Sequence, residues 1–268
     1  MKKKISVITV CFNSVEFIEQ TILSVINQTY SNIEYIIIDG GSTDGTIDVI
    51  KKYEHKISKW VSGPDNGIYD AMNKGARMAQ GEWIIYRNVG DFFATKTVIE
   101  EMFKQTIDED ITILHGDCRY VCDKGEKIFH PEITKPYYDN SCMPVFHPST
   151  FIRAEYQRQH PYDISFRSSA DFDFILYALI SGERFEYRPI LVANYSFGDG
   201  MSVKNWYTVL RENRKVLDKF GIKKYSKLGY FYEICNTYVH NKIKSLLPQC
   251  IIIRLQKRNL LAEGWTLY

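Results

Sequence analysis

Two carboxylates in this 268-residue chain sit where an apolar run gives way to small and polar residues, an arrangement that offers an acid to a ligand. The first, Asp39, lies within YIIIDGGSTDGT (residues 35–46), and the second, Asp91, ends EWIIYRNVGD (82–91). Ligands of open α/β sheets bind outside the carboxyl ends of the strands, so an acid delivered there by a buried strand stands where a ligand would sit. An acid and two glycines after a strand also make an ordinary turn, and alone they leave function undecided. Two better-defined phosphate motifs fail. Gly40 and Gly45 have the spacing of a Walker loop, but Thr46 stands where its lysine should be, and no G-x-G-x-x-G occurs. Two further acids, Asp171 and Asp173, fall in the first turn of a helical segment, where the helix dipole favours carboxylates whatever their use. Cys118 and Cys122, with His115 nearby, lack the second pair that a zinc site needs.

The elements that must position these acids alternate between strand and helix. Residues 5–11, ISVITVC, form a continuous β-rich run of the kind buried on both faces of a parallel sheet. Asn13 or Ser14 then caps a helix with Phe17, Ile18, Ile22, Val25 and Ile26 at helical spacing. A second strand (35–38) leads to Asp39; Gly40 and Gly41 allow a sharp turn, and Ser42 or Thr43 caps a helix carrying Ile47 and Ile50. A short strand over 57–61 follows, then the turn PDNG (64–67), a helix striped by Ile68, Met72, Ala76 and Ala79, and a strand over 82–86. This order predicts an α/β fold with an open sheet and covering helices. Beyond it the pattern predicts a helix over 98–107, a strand over 111–114 and short, partly antiparallel strands and loops over 118–150. A helix holding Asp171 and Asp173, a strand over 185–195 and helices over 203–220 and 228–247 complete the chain.

Hydrophobic content of 45% and charged content of 25% fit a soluble globular protein of one large domain, or one domain with an appendage. No stretch approaches the roughly 20 apolar residues that span a bilayer. The opening MKKK and residues 5–11 break into Asn13 and Ser14 without a cleavage site, so a cytoplasmic protein is expected. Six scattered cysteines agree with a reducing compartment. Net charge is +2, yet residues 204–268 hold 13 Lys and Arg against 4 Asp and Glu, which makes the body acidic and the tail basic. Ile251 to Leu261 mix Ile and Leu with Arg254, Lys257 and Arg258, which reads either as a surface for anionic lipid or as helices packed on the body with a solvated basic face.

Six segments, taken together, resemble family 2 glycosyltransferases, inverting enzymes with the GT-A fold that use a nucleotide-sugar donor. They are ITVCFNS (8–14), IIIDGGSTDGT (36–46), PDNGIYDAMNKG (64–75), NVGD (88–91), HPSTFIR (147–153) and SADFDF (169–174), in the family's order. The resemblance implies a mainly parallel mixed sheet flanked by helices. It divides the chain into a catalytic domain (1–203, with a nucleotide-sugar half to 117 and an acceptor half from 118) and a helical basic extension (204–268). It points to Thr9, Asn13 and Asp39 as holding the nucleoside, and an acid at Asp39 can accept from the N3–H of uracil, which favours UDP. Asp65 is expected near the nucleotide, with Asn73 and Lys74. Asp91 takes the place of the family's metal carboxylate, for Mn²⁺ or Mg²⁺ on the diphosphate, whose developing charge a hard cation stabilises. Gly90 stands where many relatives have a further acid and Arg87 where many have an apolar residue, which leaves the number of protein ligands open. Asp171 matches the catalytic base with Asp173 as its competitor; His147 either borders the acceptor or is a buried structural histidine.

The implied activity is metal-dependent transfer of a hexosyl or N-acetylhexosaminyl group to a hydroxyl of a saccharide or lipid-linked acceptor in bacterial surface-polysaccharide synthesis. It would occur in the cytoplasm or at the inner face of the membrane, with residues 204–268 as the peripheral contact and no nucleic-acid partner. Two rivals remain. A sugar nucleotidyltransferase should carry a glycine-rich, arginine-containing loop after the first strand, and FNSVEF (12–17) is not one. A non-catalytic sugar-nucleotide-binding protein would retain the donor site alone.

Overall fold

The computed structural model describes residues 2–122, 125–131, 133, 143–196, 205–222 and 266–267. The chain runs β1 (Ile5–Cys11), α1 (Val15–Ile26), β2 (Ile33–Asp39), α2 (Thr46–Lys52), β3 (Lys59–Ser62), α3 (Ile68–Met78) and β4 (Trp83–Tyr86). It continues through β5 (Asp91–Phe93), α4 (Val98–Met102), β6 (Ile111–Cys122), β7 (Gly125–Phe129), β8 (Thr150–Arg153), α5 (Ala154–Gln159), α6 (Ala170–Ile180), β9 (Arg184–Ser196), α7 (Trp206–Lys219) and β10 (Thr266–Leu267). The sheet order is β10-β7-β6-β8-β4-β1-β2-β3, with β9 pairing β6 and carrying β5. Strands β1 to β4 pair in parallel, whereas β8 joins β4 and β6 antiparallel. The sheet is therefore mixed and mainly parallel on its nucleotide side, flanked by helices, as the strand-helix alternation predicts.

Alternate residues of the central strands feed two apolar layers. Ile8, Val10, Ile36, Ile38 and Tyr86 pack with α3 and α6, while Ile5, Val7, Ile37, Trp83 and Ile85 pack with α1 and α4. Burial on both faces is why these strands read as continuous apolar runs. Helix α3 lies so close to β1 that a Cβ on Gly75 would fall 2.5 Å from Ile8 Cγ2. No larger residue fits there.

Beyond β4 the chain departs from its sequence pattern. Strand β6 runs on through Cys122 instead of ending at Leu114, because β7, β8 and β9 pair along it and satisfy a backbone whose side chains are polar. Helix α4 stops at Met102, and the short elements β5 and α5 carry no periodic signal of their own. Helix α7 begins just beyond the expected boundary at 203/204 and packs against the rest of the described fold. Val216 and Leu217 are buried in the same layer as α3 and α6, and the buried Glu212 accepts from the backbone N–H groups of Arg167 and Ser168. The helix shares the core of the α3–α6 layer. The expected helix over 228–247, the mixed basic stretch to Leu261 and the glycine loop after β9 lie outside the described residues. No helix among the described residues is long and apolar enough to cross a membrane.

Candidate active site

The register of β1, β2 and β3 sets Cys11, Asp39 and Ser62 side by side in one row at the strand ends. Asp39 is buried, and its carboxylate accepts from Ser42 Oγ (2.5 Å), Ser62 Oγ (2.6 Å), Ser42 N (3.0 Å) and Gly41 N (3.1 Å). Burial alone would raise its pKa, but the Ser42 and Ser62 hydrogen bonds outweigh it and hold the acid below its ordinary value. Cys11 adds a long thiol contact of 3.6 Å. Its burial, with Asp39 beside it, pushes that thiol far above its usual range, so it stays a protonated donor.

The turn after Asp39 is stitched to the turn before α1. Asn13, at φ +45°, accepts from Thr43 N through Oδ1 (2.9 Å), and its own N–H donates to Ser42 Oγ (2.7 Å). Asp44 accepts from Val15 N and Thr46 N, and Thr46 Oγ1 accepts from Ser14 N. The expected caps are thus replaced: α1 is capped from across the loop by Asp44, and α2 starts behind Gly45 at φ +100° because the Ser42 hydroxyl is engaged with Asp39.

The PDNG turn brings Asp65 over the same spot. A Cβ on Gly40 would lie 2.7 Å from Asp65 Oδ2, so glycine there lets the second acid approach the first. Asp65 Oδ1 accepts from Gly67 N at 2.9 Å, while Lys74 Nζ holds the turn through Pro64 O (3.1 Å) and Asp70 (3.2 Å). Two expected donor residues have their side chains engaged within the protein. Thr9 is fully buried with its hydroxyl against Tyr35 OH, and Asn73 is buried with both amide atoms clamped on the backbone of Tyr162. Their side chains are occupied in holding the scaffold.

Asp91 presents the opposite environment. It begins β5, opposite Tyr195 of β9, is 5% exposed, and its carboxylate has no hydrogen-bond partner among the described residues. Burial pushes its pKa up to about 7, with the neighbouring Arg87 pulling it back only in part. No group of three or more His, Cys, Asp or Glu able to hold a metal occurs among the described residues. Asp91 alone suits a hard divalent cation only where a ligand's phosphate oxygens complete the shell, which is the usual manner for Mg²⁺.

At the N-terminus of α6 the two competing acids separate. Asp173 is buried and its two oxygens take Lys219 Nζ at 2.7 and 2.8 Å, tying α6 to α7. Asp171 is half-buried, and its Oδ1 accepts from Tyr69 OH (2.9 Å) and Phe172 N (3.0 Å), leaving Oδ2 without a partner among the described residues. The Tyr195 phenol, across the β5–β9 pair from Asp91, is raised to about 12, by burial first and then by the charges of Asp91 and Asp171. His147 bonds Tyr162 OH through Nε2 at 3.0 Å and stacks on Tyr86. Burial lowers its pKa while Asp171 draws it back, which favours a neutral imidazole. Sequence reasoning missed Ser42, Ser62 and Tyr69. The one signal for Tyr69 is its i, i+4 spacing to Asn73, since both reach across to the segment around Tyr162.

A mixed sheet of this order with acids along one rim is the GT-A architecture. Residues 6–171 match Glycosyl transferase family 2, and the chain belongs to that family. An uncharacterized glycosyltransferase of Mycobacterium tuberculosis is 38% identical over 98 residues, which cover 36% of this chain and 37% of that protein. Among solved structures, S. aureus TarS 1–349 in complex with UDP-GlcNAc superposes with TM-score 0.65 at 18% identity, covering 80% of this chain and 66% of that one. A mannosyltransferase from Pyrobaculum calidifontis in complex with GDP-Man and Mn²⁺ gives TM-score 0.63 at 16% identity, covering 82% and 64%. At these identities the structures establish the shared fold.

Proposed function

We propose that this chain is an inverting glycosyltransferase that moves a sugar from a UDP-linked donor to a hydroxyl of a saccharide or lipid-linked acceptor, in surface-polysaccharide synthesis. The observation that carries the reading is the half-committed carboxylate of Asp171. Oδ1 is fixed by Tyr69 and the Phe172 N–H, and Oδ2 remains available to take a proton. In the reaction the acceptor O–H gives its proton to Oδ2 as its oxygen bonds the anomeric carbon. The bond from that carbon to the diphosphate oxygen breaks on the opposite side, and the diphosphate leaves with the electron pair. One base suffices, and the configuration inverts.

Asp39 and Asp65 are assigned to the nucleoside. A carboxylate has about four lone-pair positions, and four strong donors already fill those of Asp39. The exposed Ser62 hydroxyl is the one that can rotate away, opening a single acceptor for a base N3–H and offering its own O–H to a neighbouring carbonyl. One opening suits uracil better than guanine, which presents two adjacent donors. Asp91 would hold the divalent ion, Mn²⁺ or Mg²⁺, which when bound supplies positive charge to the leaving diphosphate. The UDP-GlcNAc complex of the TarS structure supports this choice of donor class. The extension beyond α7 is the proposed peripheral membrane contact.

The test is a thermal-shift screen of UDP, GDP and their sugars with Mn²⁺, followed by donor hydrolysis read by nucleotide release and the anomer first formed. Stabilisation by UDP and release of the inverted sugar are expected. Nucleotide binding without turnover of any donor would decide for a non-catalytic binding protein.

A further inference from the structure

Arg87, the residue after β4, is fully buried, and none of its three side-chain nitrogens has a hydrogen-bond partner among the described residues. Its guanidinium carbon lies 4.0 Å from the centroid of the Phe93 ring. Of the charges around it, Asp91 acts on it most strongly. Burying a guanidinium without hydrogen bonds is costly, and a well-packed apolar side chain would normally serve better. Arg87 leads directly into a tight turn from Asn88 to Asp91, in which Asp91 N donates to Asn88 O (2.9 Å) and Gly90 N to Thr21 Oγ1 (3.2 Å). The turn fixes a permanent positive charge beside the acid.

A divalent cation arriving at Asp91 must therefore enter the field of that guanidinium. Like charges that face each other in a poorly screened interior repel strongly enough to shift affinity by one to two orders of magnitude. The diphosphate of a donor carries the negative charge that would cancel this repulsion. We propose that Arg87 withholds divalent cations from Asp91 in the free protein, so that the metal binds only together with a nucleotide diphosphate. The inference rests on the assignment of Asp91 as the metal carboxylate. It makes Arg87 a residue that sets the order of binding without touching substrate.

Equilibrium dialysis of Mn²⁺ tests it, with UDP either absent or equal on both sides, using the full chain and the Arg87→Met, Arg87→Lys and Asp91→Ala variants, each checked by circular dichroism. The wild type should bind Mn²⁺ at least about tenfold more tightly with UDP than without. Arg87→Met should bind Mn²⁺ alone at least about tenfold more tightly than the wild type, and Arg87→Lys, which keeps the charge, should resemble the wild type. Equal Mn²⁺ affinity with and without UDP in the wild type overturns the proposal, even if Arg87→Met fails to fold. So does a folded Arg87→Met with unchanged affinity for Mn²⁺ alone. If Asp91→Ala still takes up Mn²⁺ with UDP, the assignment of Asp91 fails and the inference falls with it; if it loses Mn²⁺ while Arg87→Met is unchanged, only the role of Arg87 fails.

Discussion

Asp39 and Asp91 each border a glycine-bearing turn of the same sheet, one ending β2 before its turn and the other opening β5 after its turn, and they end in opposite states. Asp39 is wrapped by four strong donors and stays ionised despite its burial. Asp91 is also buried and has no donor among the described residues, and burial pushes its pKa up to about 7 against the pull of Arg87. Their own sequences do not make the difference. It comes from which neighbours the register supplies: Ser62 across the β2–β3 pair for one, and the β9 edge with Arg87 below for the other. The first acid is preorganised to read a ligand N–H, whereas the second awaits a charge that the ligand must bring.

The largest effect that can break this contrast is at Asp91. Asp91→Asn should abolish metal-dependent turnover, since the cation contributes several kcal/mol of charge stabilisation in the transition state. It should also change stability with a defined sign. The folded pKa of Asp91 is raised, so its contribution favours the native state at low pH and is lost as pH rises toward and through about 7. The stability of Asp91→Asn should therefore gain on the wild type between pH 5 and pH 8, by roughly 2 to 3 kcal/mol, read as a rise in its relative melting temperature. A constant gap between the two proteins would mean that Asp91 is not strained by burial.

Asp39→Asn should act at the other pole. Calorimetry should show UDP bound more weakly by about 1.5 to 3 kcal/mol, the worth of a charged hydrogen bond. Unchanged affinity in a folded variant would remove Asp39 from the site. The smallest change sharpens the picture most: if Ser62 swings its hydroxyl to a base carbonyl, Ser62→Ala should weaken UDP by about 0.5 to 1.5 kcal/mol. Were Ser62 only occupying a lone pair of Asp39, its removal would free that position and tighten UDP instead.

Much of this was legible in the sequence because buried parallel strands and their covering helices write continuous and 3.6-residue apolar patterns. The ends of β1, β2 and β4, and hence Asp39 and Asp91, follow from those patterns. What surrounds each acid does not, because Cys11, Asp39 and Ser62 become neighbours only through inter-strand register, and register has no local signal. Thr9 and Asn73 show the same limit in reverse: motif position suggested ligand contact, and long-range packing against Tyr35 and Tyr162 took up their polar atoms. Strand β5 was invisible because three residues cannot show a period. Helix α7 was legible as a helix, yet its place in the core emerges only from Glu212, Val216 and Lys219 meeting the segment that leads into α6.

That meeting also separates the two acids of α6, on which the catalytic account turns. Asp173 is bound on both oxygens by Lys219, while Asp171 keeps one oxygen open and the other held by Tyr69. Steady-state kinetics of Asp171→Asn and Asp173→Asn, with the donor identified by the nucleotide screen, is the most direct test. Loss of a general base costs about 10²- to 10⁴-fold in rate, so Asp171→Asn should lower kcat by that order with donor affinity nearly unchanged, and Asp173→Asn should act mainly through thermal stability. A large kcat loss in Asp173→Asn, beside an active Asp171→Asn, would contradict the assignment.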